Sequence, residues 1–131
     1  MPLPAGVELV NPNVRGGPFR AAVFDFDGTL SLIREGWPEI MVDRMLAHLR
    51  AQHLVREPEA ACAAHLLALV MALNGHPTIK QMERFAEEVR ARGGAPASPE
   101  DYLRDYLDAL MAVVRERWAA LEAGTASAEE W

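Results

Sequence analysis

The segment AAVFDFDGTL, residues 21–30, constrains the fold of this chain more than any other feature of the sequence. Residues 21–24, between Arg20 and Asp25, are all apolar, a pattern that predicts a strand over residues 20–26 that is buried on both faces, as in a parallel sheet. Such a strand needs neighbouring strands to satisfy its backbone. The sequence after Leu30 offers no second strand, and VELV, residues 7–10, supplies at most a short edge. The chain is therefore the N-terminal piece of something longer, another polypeptide completes the sheet, or the segment is not a strand.

The sequence after this segment predicts four helices. Pro38 and Pro58 suit first helical positions, and Ser98-Pro99 is typical of a helix start. Thr78 and Gln81 form a predicted capping box, in which each side chain bonds a backbone N–H of the first turn. We expect helices over residues 38–52, 58–73, 78–92 and 99–123.

Apolar spacing predicts which faces of these helices are buried. The second helix is apolar nearly all round and rich in alanine, so we expect it to be the most buried. His65, within it, is interpreted as a packed or hydrogen-bonded core histidine, whereas His76 is expected to be exposed. The predicted apolar stripe of the fourth helix consists of Leu103, Leu107, Leu110, Val114, Trp118 and Leu121. The aromatic residues expected to pack in the bundle are Trp37, Trp118, Tyr102 and Tyr106.

Charge and cysteine content exclude several function classes. The 131 residues carry a formal net charge of −6, and their basic residues are scattered, so nucleic acid and anionic membranes are not expected partners. The single cysteine, Cys62, rules out an intrachain disulfide framework. No signal peptide or membrane span is predicted, and we expect a cytoplasmic protein.

The two aspartates Asp25 and Asp27 are the strongest candidates for chemistry. Two residues apart in extended backbone, they project to the same side, with their Cα atoms about 6.6 Å apart. Read alone, Asp27-Gly28 is an ordinary turn beside a polar residue at the end of a strand. The apolar strand before the pair, Thr-Leu after it and the helical segment that follows make the combination far more specific.

VFDFDGTL resembles the first motif of the haloacid dehalogenase (HAD) superfamily in its phosphatase form, with matches at Asp25, Asp27, Gly28, Thr29 and Leu30. The resemblance implies an α/β fold, a Rossmann-like core with a helical cap, of which this mostly α chain would hold one core strand and a four-helix cap. It implies that Asp25 is the nucleophile that forms an aspartyl-phosphate and that Asp27 is the general acid and base. It also implies a Mg²⁺ ion bound by the Asp25 carboxylate and the Asp27 backbone carbonyl.

The same resemblance divides the chain into three parts. Residues 1–32 would be the lead-in and first core strand, residues 33–122 the cap, and residues 123–131 a tail leading to the rest of the core. A small phosphorylated metabolite is the implied substrate. Candidate substrate-binding residues are Thr29, in the motif, and Arg34, Lys80 and Arg84, in the cap, although each of these three charges is more simply a solvated surface charge.

The later motifs of the superfamily have no counterpart in this chain. There is no Ser or Thr at the end of another apolar strand, the only lysine is Lys80, and no acidic pair follows a strand. We therefore expect a truncated chain that is inactive alone and needs the missing core segment in cis or in trans. Two alternatives remain open: a non-catalytic helical interaction module with a vestigial motif, and a metal and nucleotide-sugar site of glycosyltransferase type, where Asp-x-Asp also follows a strand.

Overall fold

The structure, a computed structural model, describes residues 13, 17, 20–25 and 31–126 of the chain. Within these residues it contains four α-helices: α1 (Trp37–Ala51), α2 (Glu59–Ala72), α3 (Thr78–Ala91) and α4 (Pro99–Glu122). Each helix lies within two residues of its predicted position. The described part of the chain is therefore mostly helical, as expected from its sequence.

The four helices form a closed bundle. Each helix packs on its neighbour in the sequence, and α4 returns to pack on α1. Because the connections are short, successive helices run in opposite directions. The described core consists of side chains that all four helices and the α1–α2 connection contribute: Met41, Val42, Met45, Leu46, Leu49, Leu54, Cys62, Leu66, Val70, Met82, Phe85, Ala86, Val89, Tyr102, Tyr106 and Leu110.

The buried face of α4 differs from the predicted leucine stripe. Tyr102, Tyr106 and Leu110 are its buried residues, whereas Leu107 is 40% exposed. Leu110 belongs to both sets, and Leu103 and Val114 are partly buried against the core, so the buried face keeps part of the predicted stripe and extends to the side of Tyr102 and Tyr106. The packing expected of Tyr102 and Tyr106 is confirmed, and Trp37 packs against the core. The prediction for Trp118 is wrong, since this side chain is 56% exposed.

The expectation that α2 is the most buried helix is also wrong. Its buried residues are Cys62, Leu66, Leu69 and Val70, whereas α3 has six buried residues. Leu67 and Met71, on the outer side of α2, are 37% and 43% exposed. In a bundle of four, each helix has one face without a neighbour, and the uniform apolarity of α2 does not identify that face.

The helix starts confirm the start predicted at Ser98-Pro99 and overturn the capping box predicted at Thr78 and Gln81. The Ser98 hydroxyl accepts a hydrogen bond from the Asp101 backbone N–H, at 3.1 Å, so Ser98 caps α4. The predicted capping box at α3 does not form, because Thr78 is already inside the helix and no side chain caps its start. The Gln81 side chain instead donates to the Val70 carbonyl oxygen, at 3.0 Å, and links α3 to the end of α2.

The predicted strand over residues 20–26 does not form in its described part. Residues 20–25 have no regular secondary structure, and Val23 and Phe24 are 98% and 65% exposed. An isolated strand cannot satisfy its own backbone groups, and the described residues offer it no partner strand. Among these residues, no helix combines the length and the apolarity needed to cross a bilayer.

Candidate functional site

The aspartate motif lies only partly within the described residues. Asp25 is described and its side chain is exposed to solvent. Asp27 and Thr29 lie outside the described residues. The roles predicted for all three therefore stay predictions, and the site can be built only from the segment that follows the motif.

Arg117 holds this following segment against α4. Its guanidinium donates to the backbone carbonyl oxygens of Leu32, Ile33 and Glu35, at 3.4, 3.0 and 2.7 Å. Arg117 is five residues, about 8 Å along the axis, before the end of α4, so its side chain binds the entry segment near that end of the helix. The entry and the exit of the four-helix unit therefore lie at the same end of the molecule.

A cleft of about 510 Å³ opens between the entry segment, the starts of α1 and α3, and the α2–α3 turn. This volume is within the range typical of small-molecule sites. Neither α1 nor α3 has a side-chain cap, so first-turn N–H groups remain at both helix starts. The described residues that line the cleft are Leu32, Arg34, Glu35, Gly36, Trp37, Pro38, Glu39, Asn74, Gly75, His76, Thr78, Gln81 and Tyr106.

Gln81 and Tyr106 are the two buried polar side chains in this cleft, each only 3% exposed. Burial raises the pKa of the Tyr106 phenol, and the nearby Arg34 guanidinium opposes the rise through its charge and a hydrogen bond. The Gln81 amide nitrogen is fixed by its bond to the Val70 carbonyl, which leaves the amide oxygen on the other side. Both residues line the cleft while their side chains are almost fully buried.

The predicted substrate-binding residues are not brought together. Arg34 is exposed and lines the cleft. Lys80 forms an ion pair with Glu83, at 2.8 Å, and Arg84 forms one with Glu87, at 3.1 Å, both along α3. Because neither Lys80 nor Arg84 lines the cleft, the surface-charge interpretation describes both, whereas Arg34 stays a candidate.

Sequence reasoning missed four residues of the cleft wall. Trp37, Tyr106 and Gln81 were assigned to packing or capping, and His76 was expected to be merely exposed, which it is. The polar Gln81 on an apolar helix face was the available signal. A glutamine in that position either bonds a backbone group or lines a cavity, and Gln81 bonds the Val70 carbonyl and also lines the cleft.

A first ion-pair cluster joins α1 and α4 on the side of the bundle. Arg44 donates twice to Asp105, through Nε and Nη2, both at 2.8 Å, and His48 Nε2 lies 3.0 Å from the same carboxylate. The Arg44 hydrogen bond holds the pKa of Asp105 below its usual range, against the effect of burial. The Tyr102 ring packs edge-on against both His48 and Phe85, at 4.9 and 4.8 Å between centroids. Because the Asp105 carboxylate bonds Arg44 and His48 of α1 at once, the cluster has a structural role in holding α4 to α1.

A second cluster joins the α1–α2 connection to α3. Arg92 donates to Glu57 Oε1 and Oε2, at 2.7 and 3.0 Å, and to Glu88 Oε1, at 2.8 Å. His65 Nε2 lies 3.1 Å from Glu88 Oε1, and the His65 side chain is 50% exposed. His65 is therefore hydrogen-bonded, as one alternative of its prediction had it, but it is not a core residue.

Metal binding can be tested only against the donors that are described. Among those residues, no three His, Cys, Asp or Glu side chains come together in a way that could hold an ion. Cys62 is free and fully buried, and burial raises the pKa of its thiol, which disfavours the thiolate form that metals bind. The carboxylate of Asp25 has the hard oxygen donors that Mg²⁺ prefers, so this residue fits the implied metal as a single ligand.

Comparison of the chain with protein-family models, with curated proteins and with solved structures found no match. Function must therefore be argued from the motif and the cleft.

Proposed function

We propose that this chain provides the nucleophile motif and the helical cap of a cytoplasmic, Mg²⁺-dependent HAD phosphatase that acts on a small phosphorylated metabolite. The observation that carries the proposal is that the chain enters and leaves the four-helix unit at one end, where Arg117 binds the entry segment. A unit whose ends lie close together has the form of a domain inserted into another domain. The aspartate motif directly precedes the point of entry.

The position of the cleft supports the same function. It opens at the end of the bundle where the entry segment arrives, and residues 32 and 34–36 of that segment line it. The chain from Asp25 to Ser31 spans at most about 20 Å when fully extended. Asp25 is therefore at most about 20 Å from Ser31, which directly precedes the lining residue Leu32.

The proposed reaction uses the two aspartates in different roles. The Asp25 carboxylate attacks phosphorus, the bond to the leaving oxygen breaks, and Asp27 gives that oxygen a proton. Asp27 then takes a proton from water, which attacks the aspartyl-phosphate and releases inorganic phosphate. The Asp25 carboxylate and the Asp27 backbone carbonyl would hold Mg²⁺, which offsets the repulsion between the carboxylates and the phosphate.

The groups that bind phosphate and complete the metal shell are proposed to come from a core segment in cis or in trans. This segment would also pair with residues 20–25, whose apolar side chains are exposed. The chain alone is expected to be nearly inert, because a carboxylate attacks an anionic phosphate only when cations neutralise the charge.

The test is Mg²⁺-dependent hydrolysis of an aryl phosphate by the chain together with its natural core segment. Asp25→Asn is expected to abolish turnover, and Asp27→Asn to slow it by roughly 10²–10⁴-fold, the range for lost acid–base assistance. Asp43→Asn, the same change at an exposed carboxylate on α1, is the matched control and is expected to keep the wild-type rate. Equal steady-state rates for wild type and Asp25→Asn would rule out the nucleophile.

A helical interaction module is the second candidate function, and one observation favours it. Leu67 and Met71 are exposed on α2, which carries no charged residue after Glu59 apart from His65 when it is protonated. A surface without charges is typical of a contact with another protein. Absence of phosphatase activity in the completed protein, with the fold intact, would favour this candidate.

A further inference from the structure

We propose that the cleft at the starts of α1 and α3 is a binding site for a small organic amine. Three kinds of observation support it: a buried acceptor that faces the cleft, carboxylates at the rim, and aromatic side chains in the wall. The site stands without the proposed function, because binding is measured on the chain itself.

The buried acceptor is the amide oxygen of Gln81. The amide nitrogen bonds the Val70 carbonyl, and within the described part of the chain Oε1 accepts no hydrogen bond. No side-chain nitrogen or oxygen of these residues is both fully buried and unpartnered, so this oxygen keeps some exposure, and the cleft is the space that Gln81 lines. A residue only 3% exposed thus presents a fixed acceptor that needs an N–H or O–H donor.

The charged side chains of the cleft favour a cation as that donor. Among the described residues that line it are two carboxylates, Glu35 and Glu39, and one permanent cation, Arg34, which forms a hydrogen bond with Tyr106. Two carboxylates and an amide oxygen are all acceptors, and a protonated primary amine offers three donors and a positive charge. Trp37 and Tyr106 add aromatic surface, which attracts ammonium groups.

The uncapped starts of α1 and α3 favour a negatively charged group in the same cleft. Helix N-termini stabilise negative groups, and here two of them border the same cleft. A molecule with an amine at one end and an acidic group at the other satisfies both. The identity of the substrate rests on the proposed function. If the chain belongs to a phosphatase, the substrate class is the phosphate monoester of an amino alcohol.

The experiment is a titration of the ¹⁵N-labelled full chain, followed by NMR, with ethanolamine, choline and ethylene glycol as probes. Ethanolamine has a charge and N–H donors, choline has the charge without N–H donors, and ethylene glycol has neither. Ethanolamine is expected to shift the Gln81 side-chain amide and the Trp37 indole signals, and to bind several-fold tighter than choline. Choline or ethylene glycol binding as tightly as ethanolamine would overturn the proposal.

Two variants separate the site from the fold. Gln81→Met is expected to weaken ethanolamine binding by roughly tenfold, the effect of losing a hydrogen bond to a charged group. Glu39→Gln, at an exposed position where folding is not at stake, is expected to weaken it several-fold. Glu87→Gln is the matched control, since this carboxylate is 62% exposed on α3 and does not line the cleft. Wild-type affinity for ethanolamine in Glu39→Gln would contradict the proposal. If the completed protein hydrolyses an aryl phosphate but the chain binds no amine, this inference is wrong and the proposed function still stands.

Discussion

The partly exposed carboxylate of Glu57 stabilises the folded chain through its ion pair with Arg92. The Arg92 guanidinium donates to both of its oxygens and also to the Leu54 carbonyl, so it ties the α1–α2 connection to the end of α3. The hydrogen bond from Arg92 lowers the pKa of Glu57 from its usual 4.5 to about 2. Because the pKa is lower in the folded chain, the ionised form of Glu57 favours folding.

This linkage predicts how stability depends on pH. The contribution of Glu57 is fully present above pH 4.5 and is lost as the pH falls towards 2. Glu57→Gln is therefore expected to be less stable than wild type at pH 7 and to lose less stability between pH 5 and 3. Urea midpoints across this range measure the difference, and Glu87→Gln, at an exposed ion pair, serves as the control. A wild-type pH dependence in Glu57→Gln would contradict the assignment.

Among the helices, the sequence predicted the positions well and the buried faces less well. Proline at three helix starts, the Thr78 and Gln81 pattern at the start of α3, and glycine after the ends of α2, α3 and α4 are local signals, and each helix lies within two residues of its predicted position. Burial depends on which neighbours are present, which is a tertiary property. The uniform apolarity of α2 fits both a helix in the interior and a helix with one exposed face. In α4, the spacing of apolar residues does not tell whether the leucines or Tyr102 and Tyr106 face the core.

The cleft shows the same limit. The aspartate motif and Arg34 could be proposed from residue order alone, because the motif is contiguous and Arg34 lies four residues after its last residue, Leu30. Gln81 and Tyr106 reach the cleft from α3 and α4, 47 and 72 positions after Arg34. No local pattern connects residues so far apart, and only the packing of the helices brings them to one wall.

The two helix starts yield a matched prediction. Ser98→Ala removes a hydroxyl that caps α4 and is expected to cost about 1 kcal/mol of unfolding free energy. Thr78→Ala makes a similar change at the start of α3, where no cap bond exists, and is expected to change stability by less than about 0.5 kcal/mol. Chemical denaturation of both variants measures the contrast. If Thr78→Ala lowers the unfolding free energy as much as Ser98→Ala does, Thr78 caps α3 after all and the absence of a cap is wrong.

At the scale of the whole molecule, the helical unit has its own core and its own closure. All described core residues lie between Met41 and Leu110, and Arg117 closes the unit by binding residues 32, 33 and 35. These contacts lie entirely within residues 31–126. The unit therefore holds the interactions that a folded domain requires without the segment that carries the aspartates.

The excised fragment 31–126 is accordingly expected to fold alone. Circular dichroism is predicted to show the helical signal of the full chain and a cooperative thermal transition. Arg117→Ala in the same fragment is expected to lower the midpoint modestly, because the entry segment loses its anchor while the core is unchanged. A largely unfolded spectrum for the fragment would contradict its independence.

The central claim is that Asp25 forms a covalent bond to phosphorus, and the most direct measurement is mass spectrometry of the acid-quenched protein. The chain, joined to its natural core segment and quenched during turnover of an aryl phosphate with Mg²⁺, is expected to carry one phosphoryl group on the peptide that contains Asp25. Hydroxylamine should remove this group, as it does from acyl phosphates, and Asp27→Asn should increase its amount because water is no longer activated. Turnover without phosphate on that peptide, or the same phosphorylation in Asp25→Asn, would contradict the account.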